Sequence, residues 1–557
     1  MPTAPPDLVP HSSATPAADS HPEPLQDASA LHDRMPGWFK SRRGLIGITA
    51  FLALVFLYFS YHQLSHTDLW GHLAYGRHLV ETGSVPWTAA WPETEPLMPL
   101  SQGVRWVNTA WLAQLAGYGT FRAAGVSGLQ FLNAASITFC VGLIVWLCWR
   151  ATRRAWLAVL GGGAFLLIAW MQLAIIRPQL AGMVCFVTLF ALLVRLRRPR
   201  PQERPAGRVT AACGEAQSWT PLAFVPLLFI LWANGHGSFL VGLAVLAAFL
   251  CGRAWDVFWK RRSLRAVVRD RPVRRLLLLT ELAAVAVLIN PYGFGLYHEV
   301  WTFAGHPNLI DIVEWDPLTL RSRQGQIFAL ASLALITAYR LSPRRIRATE
   351  VLLLAGLGGL ALWSSRLIVW WAPVAAYYLV LHLNAIRRRW TRHRPAVAAK
   401  RTSLATVASI GIAWIGFAYT PFGLALIHGE PQDAQRRGLS PQTPVDAVAW
   451  LTDHPPQGQV FNTYEWGDYL LWAGPQDVQV FVASHAHLVP EQVWADYMHV
   501  IHLSTGWYDV LDRYRVNTVV IDLRDRRPLA DRLRRHDGWH VGYEDHMAVI
   551  LVRDEPL

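Results

Sequence analysis

Asp68, His72 and Arg77 stand in "HTDLWGHLAYGRHLVETG", just past the end of an apolar run. Arg177 follows in "IIRPQ", Asn234 and His236 in "WANGHGS", Tyr292 in "INPYGFGLYHE", Glu314 in "DIVEWDP" and Arg366 in "WSSRLIVWW". All of them lie beside apolar runs. Charges at such positions are costly unless paired or facing water, so they argue for function. The residue types suit one chemistry. Guanidinium groups on Arg177 and Arg366 match a phosphate or pyrophosphate in a planar fork. A carboxylate, Asp68 or Glu314, can take a proton from an attacking hydroxyl or help hold a metal ion. Each residue also has a plainer reading. Asp68 suits a helix N-cap, Arg177 a helix end before Pro178, and Arg366 a side chain snorkelling to an interface. "NPYG" is a turn signal on any view. "HAH" (485–487) is too short to define a metal site. What unites these residues is that they fall on the same side of the apolar runs.

The elements that must position them are membrane helices. The chain has 557 residues, 53% hydrophobic and 16% charged, against about 25% charged in a soluble protein. Runs of bilayer-crossing length, about 20 residues, recur through position 420. The expected spans are 43–63, 126–149, 154–173, 176–196, 219–234, 238–258, 274–290, 326–341, 348–364, 366–386 and 403–422. Their connections alternate between arginine-rich ones, such as "WRATRR" and "KRRSLRAVVRDRPVRR", and ones with few basic residues: 64–125, 174–176, 234–238, 291–325 and 364–366. The positive-inside rule puts the basic set in the cytoplasm. The N-terminus is then inside, and eleven spans leave the C-terminus outside. "WVNTAWLAQLAGYGTF" (106–121) is apolar, but counting it as a span would break this alternation. It reads instead as a helix on the outer surface, within a long first outer loop over 64–125. A lipid-phosphate-linked substrate would place its tail between the spans and its phosphate at the outer rim.

The net charge of +13 therefore reads as topology and not as nucleic-acid binding. Residues 1–38 carry few large apolar groups and read as a disordered cytoplasmic tail. Residues 39–428 form the transmembrane domain, and 429–444 a linker. Residues 445–557 read as an extracytoplasmic α/β domain, with strands in "GQVFN", "VQVFVA", "VNTVVIDL" and a closing hairpin in "WHVGYEDHMAVILVR". None of the five cysteines follows residue 420, so this domain has no disulfide framework.

Taken as a series, these motifs resemble a family. "HTDLWGHLAYGRHLVETGSVPW" is similar to the first outer loop of bacterial integral-membrane GT-C glycosyltransferases, where Asp-x-x-Trp-x-His-x-x-x-Gly recurs. "WVNTAWLAQL", "IIRPQL", "WANGHGSFLVGL", "INPYGFGLYHEV", "EWDP" and "NTYEWGDYLLW" extend the likeness in order. The resemblance implies a polytopic α-helical membrane protein, GT-C-like, of about eleven transmembrane helices with a small C-terminal extracytoplasmic α/β domain. It implies an enzyme of a bacterial inner membrane that moves a sugar from a polyprenyl-phosphate carrier to an acceptor glycan, lipid or protein. It places Asp68 at the position of the family's first-loop catalytic acid; the family's second first-loop carboxylate is missing here, and Glu81, Glu93, Glu95 or Glu314 would have to substitute. Arg177 and Arg366 would hold the lipid phosphate. Trp70, His72, Asn108, Asn234, His236, Tyr292, Glu465, Trp466 and Asp468 become candidate substrate contacts. "EWGDYLLW" is also similar to the Trp-Trp-Asp-Tyr-Gly element beside the acceptor site of oligosaccharyltransferases. Two departures stand out. Look-alikes carry His-Glu where this chain has Thr109-Ala110, and Asp-Gly-Arg where it has Ala483-Ser484-His485. The pattern leaves a divalent metal possible without requiring one. The rival readings are a lipid-linked glycan transporter or flippase, and a catalytically inactive scaffold of the same fold. Transporters often show internal repeats and mid-membrane polar groups. This chain shows no repeat, and its polar groups gather at one rim, which favours an enzyme.

Overall fold

Backbone polar groups inside hydrocarbon must be satisfied within the segment, so apolar runs fold as helices. The structure is a computed structural model that describes residues 35–65, 68–196, 220–391, 401–429 and 433–557. The tail read over 1–38 lies outside the described residues as far as position 34. Helices occupy each stretch expected to span: Gly44–Ser60, the second part of Trp111–Thr152, Ala155–Leu173, Gln179–Leu196, Thr220–Gly235, Phe239–Arg261, Arg271–Val287, Arg323–Leu341, Ala348–Trp363, Ile368–Trp390 and Ser403–Ala418. Among the described residues five helices are long and apolar enough to cross a membrane, or six if Ser403–Ala418 and Pro421–His428, bent by 79°, form one broken span. The expected count of eleven spans is not confirmed by length and composition. Gly44–Ser60, Leu222–Gly235 and Ala348–Trp363 are apolar but shorter. Arg271–Val287 starts in the basic sequence "RPVRR".

The Trp111–Thr152 helix is the hub of the bundle. It packs on Gly44–Ser60, Ala155–Leu173 and Gln179–Leu196. It breaks at Ala124–Gly125, where Gly125 adopts φ 56°, a left-handed value that glycine accepts without a Cβ clash. Residues 111–123 therefore leave the axis of the apolar segment that follows. Large aromatics fill the core, including Phe165, Phe186, Phe190, Phe229, Trp232 and Trp370. At the arginine-rich end, β1 (Ser41–Arg42) pairs antiparallel with β2 (Arg401–Thr402), which ties the starts of two helices together. A buried network also lies at that end. Tyr339 Oη, Arg344 Nη1 and His382 Nε2 all meet the Glu350 carboxylate at 2.7–3.0 Å, and Glu350 is 1% exposed.

The C-terminal region is built on a five-stranded sheet of order β4-β3-β5-β7-β6, comprising β3 (Gln459–Asn462), β4 (Gln479–Val480), β5 (Val516–Asp522), β6 (Trp539–Glu544) and β7 (Ala548–Arg553). β3 runs parallel to β4 and β5, and β7 antiparallel to β5 and β6. β3 and β5 are buried along their whole length, as befits strands covered on both faces. The Asp68–Glu81 helix of the first loop docks this domain. Trp70 meets the rings of Tyr469 and Trp472 at 5.3 and 6.2 Å. Arg77 donates to the carbonyls of Leu471 and Trp472 at 2.9 and 3.0 Å, at the C-terminal and electronegative end of the Gly467–Ala473 helix. Gly71 sits against the Asp468 carboxylate, where a Cβ would come within 2.6 Å of Oδ1. Tyr75, Met98 and Trp106 complete the domain's own apolar core.

Candidate active site

The weakly basic connections 64–125, 234–238, 291–325 and 364–366, together with Arg177 and Pro178 just after 174–176, line one cavity of about 930 Å³, and the C-terminal domain contributes its other side. At its centre lie four charged groups from four segments. Asp68 opens the Asp68–Glu81 helix. Arg177 sits in the turn before Gln179–Leu196, its carbonyl accepting from Leu180 at 2.9 Å. Glu314 belongs to the 3-10 turn Val313–Trp315, and Arg366 to the 3-10 turn Ser365–Leu367. Those two turns are tied together, since Ser365 donates through its hydroxyl to the Glu314 carbonyl at 3.2 Å and through its backbone N–H to that of Asp316 at 2.9 Å.

Arg177 reaches both carboxylates. Its Nη1 and Nη2 donate to Glu314 Oε2 and Oε1 at 2.7 and 2.5 Å, and its Nε lies 2.9 Å from Asp68 Oδ2. The Arg177 side chain is 3% exposed. Burial works against its charge, but Asp68 and Glu314 together outweigh that, and its pKa is raised. Arg366 Nη1 stands 3.7 Å from Glu314 Oε2, with the guanidinium 5.3 Å from the Trp315 ring centroid.

Around this centre stands a set of imidazoles. His72 lies one turn after Asp68 on the same helix face; its Nδ1 is 3.1 Å from Gln114 Nε2. His485 faces it with ring centroids 5.0 Å apart, and His487 lies 5.9 Å from His485. His236 Nδ1 accepts from the Ser238 backbone N–H at 3.0 Å. Burial lowers all four: His485 to about 4 and His236 to about 3, with His72 and His487 also well below the usual value. The cavity therefore presents neutral imidazoles at neutral pH. Tyr464 of the C-terminal domain donates to the Ser484 carbonyl at 2.9 Å. Burial, and then the Asp68 carboxylate, raise its phenol well above the ordinary value, so it is a neutral hydrogen-bonding group.

Of the residues singled out in the sequence, Asp68, His72, Asn108, Arg177, His236, Glu314, Arg366 and Glu465 line the cavity. The other five are not among its lining residues and make the following contacts. Trp70 is spent on the domain interface. Asn234 accepts from Trp111 Nε1 at 2.9 Å and donates to the Ile289 carbonyl at 2.8 Å. Tyr292 Oη accepts from the Asn108 backbone N–H and Trp91 Nε1, both at 2.9 Å. Trp466 is buried and donates to the Gln442 carbonyl at 3.2 Å. Asp468, 0% exposed, accepts from the Ser484 backbone N–H at 3.2 Å. Tyr464, Trp494 and Arg526, which carry no separate mark in the sequence, also line the cavity, as does His487 of "HAH". Tyr464 was within reach of inspection, because it adjoins Glu465 in "NTYEWGDYLLW".

The cavity has two characters. Leu240, Val241, Ala244, Leu360, Trp363 and Leu367 make one flank apolar, and Glu465, His485, His487 and Arg526 make the domain side polar. Among the described residues no group of three or more His, Cys, Asp or Glu side chains is placed to hold a metal ion.

No protein-family model matches the sequence, and no curated protein is similar to it in sequence. Solved structures do share its architecture. The archaeal oligosaccharyltransferase AglB from Archaeoglobus fulgidus, in complex with an inhibitory peptide and a dolichol-phosphate, superposes with a TM-score of 0.54 at 12% identity, over 86% of this chain and 69% of that one. An Archaeoglobus fulgidus oligosaccharyltransferase tethered to an acceptor peptide containing the NVT sequon gives 0.49 at 13% identity, over 92% and 74%. The chain thus shares the fold of the AglB structure. At this identity the likeness is one of fold.

Proposed function

We propose that the protein is an inverting glycosyltransferase that moves a sugar from a polyprenyl-phosphate carrier to an acceptor at the outer face of a bacterial inner membrane. One observation carries this reading: a single cavity joins an apolar flank between helices, a cation at the rim and two carboxylates. The neighbouring AglB structure, which holds a dolichol-phosphate and a peptide, supports a lipid carrier and a separate acceptor. The arginine-rich connections support an orientation with the N-terminus in the cytoplasm.

In this reading the prenyl chain lies along Leu240, Val241, Leu360 and Leu367. Arg366 meets the phosphate, since an arginine presents several donors to phosphate oxygens. The acceptor enters from the side of Tyr464 and Glu465 and attacks the anomeric carbon from the face opposite the phosphate. The bond from carbon to phosphate oxygen breaks as the new glycosidic bond forms. Asp68, paired with Arg177, accepts the proton that the attacking atom releases. Positioned proton transfer contributes about 10²–10⁴-fold, so Asp68→Asn should lower transfer by that order.

The test is transfer from a polyprenyl-phosphate sugar by the purified, reconstituted protein, with Asp68→Asn alongside. Loss of transfer in a variant that melts like the parent is the expected result. Full transfer by that variant removes Asp68 from the mechanism, and flipping of labelled carrier without transfer replaces the enzyme reading with the transporter one.

A further inference from the structure

Two carboxylates facing one cavity would ordinarily invite a divalent cation, because hard oxygen ligands suit magnesium, calcium or manganese. Asp68 and Glu314 are such a pair, and the space between them is taken by the protein itself. The Arg177 guanidinium directs both Nη atoms to Glu314, at 2.7 and 2.5 Å, and its Nε toward Asp68 at 2.9 Å. Its side chain is 3% exposed. Guanidinium stays protonated at any working pH, so the charge is permanent. A metal ion bound to the same oxygens would have to displace that fork or bury a second positive charge beside it, and like charges in a low-dielectric pocket repel strongly. The two carboxylates as arranged do not fit a metal.

The arrangement also locks geometry. Arg177 is fixed by its turn before the Gln179–Leu196 helix. Glu314 is fixed through Ser365 to the turn that carries Arg366. The first loop, the 174–178 turn and the 313–315 turn are therefore held in register by one side chain.

We propose that Arg177 is the resident cation of this site, standing where a divalent ion would bridge Asp68 and Glu314, so that the site works without a metal. Arg177 is thereby a positioning residue for Asp68 and not a phosphate ligand. The catalytic half of this statement rests on the glycosyltransferase reading; the cation-binding half does not.

The experiment uses the full-length protein in nanodiscs, stripped with EDTA and titrated with Mn²⁺ by electron paramagnetic resonance. The wild type should show no Mn²⁺ binding that Asp68→Asn removes, and its transfer should be unchanged by EDTA or by added Mn²⁺. Arg177→Gln opens the pair: it should bind Mn²⁺, and adding Glu314→Gln should abolish that binding. Mn²⁺ binding by the wild type that depends on Asp68, or transfer that EDTA stops and Mn²⁺ restores, overturns the proposal. So does a folded Arg177→Gln protein that binds no Mn²⁺. Should Arg177→Gln fail to fold, the wild-type titration decides alone. Should no transfer be found under any condition, the glycosyltransferase reading fails while the titration still settles what Arg177 does.

Discussion

The rings of His72 and His485 meet edge to face at 5.0 Å, one imidazole from the first loop and the other from the C-terminal domain. Both are kept neutral, chiefly by burial. The contact is thus a joint between two parts of the chain that tolerates little positive charge.

Acid should loosen that joint. His485 falls to about 4 in the fold, from about 6.5 in an unfolded chain. Between those values the unfolded state binds more protons, so stability falls as pH drops from about 6.5 toward 4. Above 6.5 the residue contributes no pH dependence. Thermal unfolding of the purified protein from pH 7.5 to pH 4.5 should show the decline, and His485→Gln should flatten part of it. An identical profile for the variant would contradict this.

Arg366→Ala should weaken donor binding more than chemistry. A hydrogen bond to a charged group contributes about 1.5–3 kcal/mol, or roughly 10–150-fold in KM for the lipid-linked sugar. Turnover at saturating donor should change less. Kinetics with a water-soluble short-chain donor would check this, and an unchanged KM would move the phosphate away from Arg366.

Gly71→Ala should disturb docking of the C-terminal domain, because the added methyl would press on the Asp468 carboxylate. Overpacking of this kind costs about 1–3 kcal/mol. Protease sensitivity of the 429–444 segment should rise in the variant. Gly119→Ala, where nothing lies within 4 Å of a new Cβ, is the control.

Glu350→Ala should be among the most damaging single changes at the opposite end of the bundle. It leaves Arg344 and the fully buried His382 without their shared carboxylate. Breaking a buried pair by removing one partner costs about 3–5 kcal/mol. The expected signature is poor yield and a lowered melting temperature, with normal turnover per folded molecule.

Much of this was legible in sequence, for identifiable reasons. The helices were found because apolar runs in lipid have few alternatives to a helix. Their count as spans stays unconfirmed, since Gly44–Ser60 and Ala348–Trp363 are apolar enough but short. The cavity's charges were noticed because each interrupts or borders such a run. The partner that Arg177 takes was not readable, because a lone arginine before a proline looks alike whether it meets a phosphate, a lipid headgroup or Glu314. Where Trp70 and Asp468 point was not readable either, because a motif marks a residue without giving its direction. Arg526 was hidden among the arginines of "LRDRRPLADRLRR", where nothing distinguishes it from its exposed neighbours.

The chamber is bounded at one extreme of the chain by Asp68 and at the other by Arg526. A nascent polypeptide emerging from the ribosome has every helix of the bundle before it has the last wall. Until Arg526 and the sheet around it have been made, such a molecule has the helices but lacks part of the cavity lining. If the cavity is the reaction chamber proposed above, turnover has to wait for that last wall.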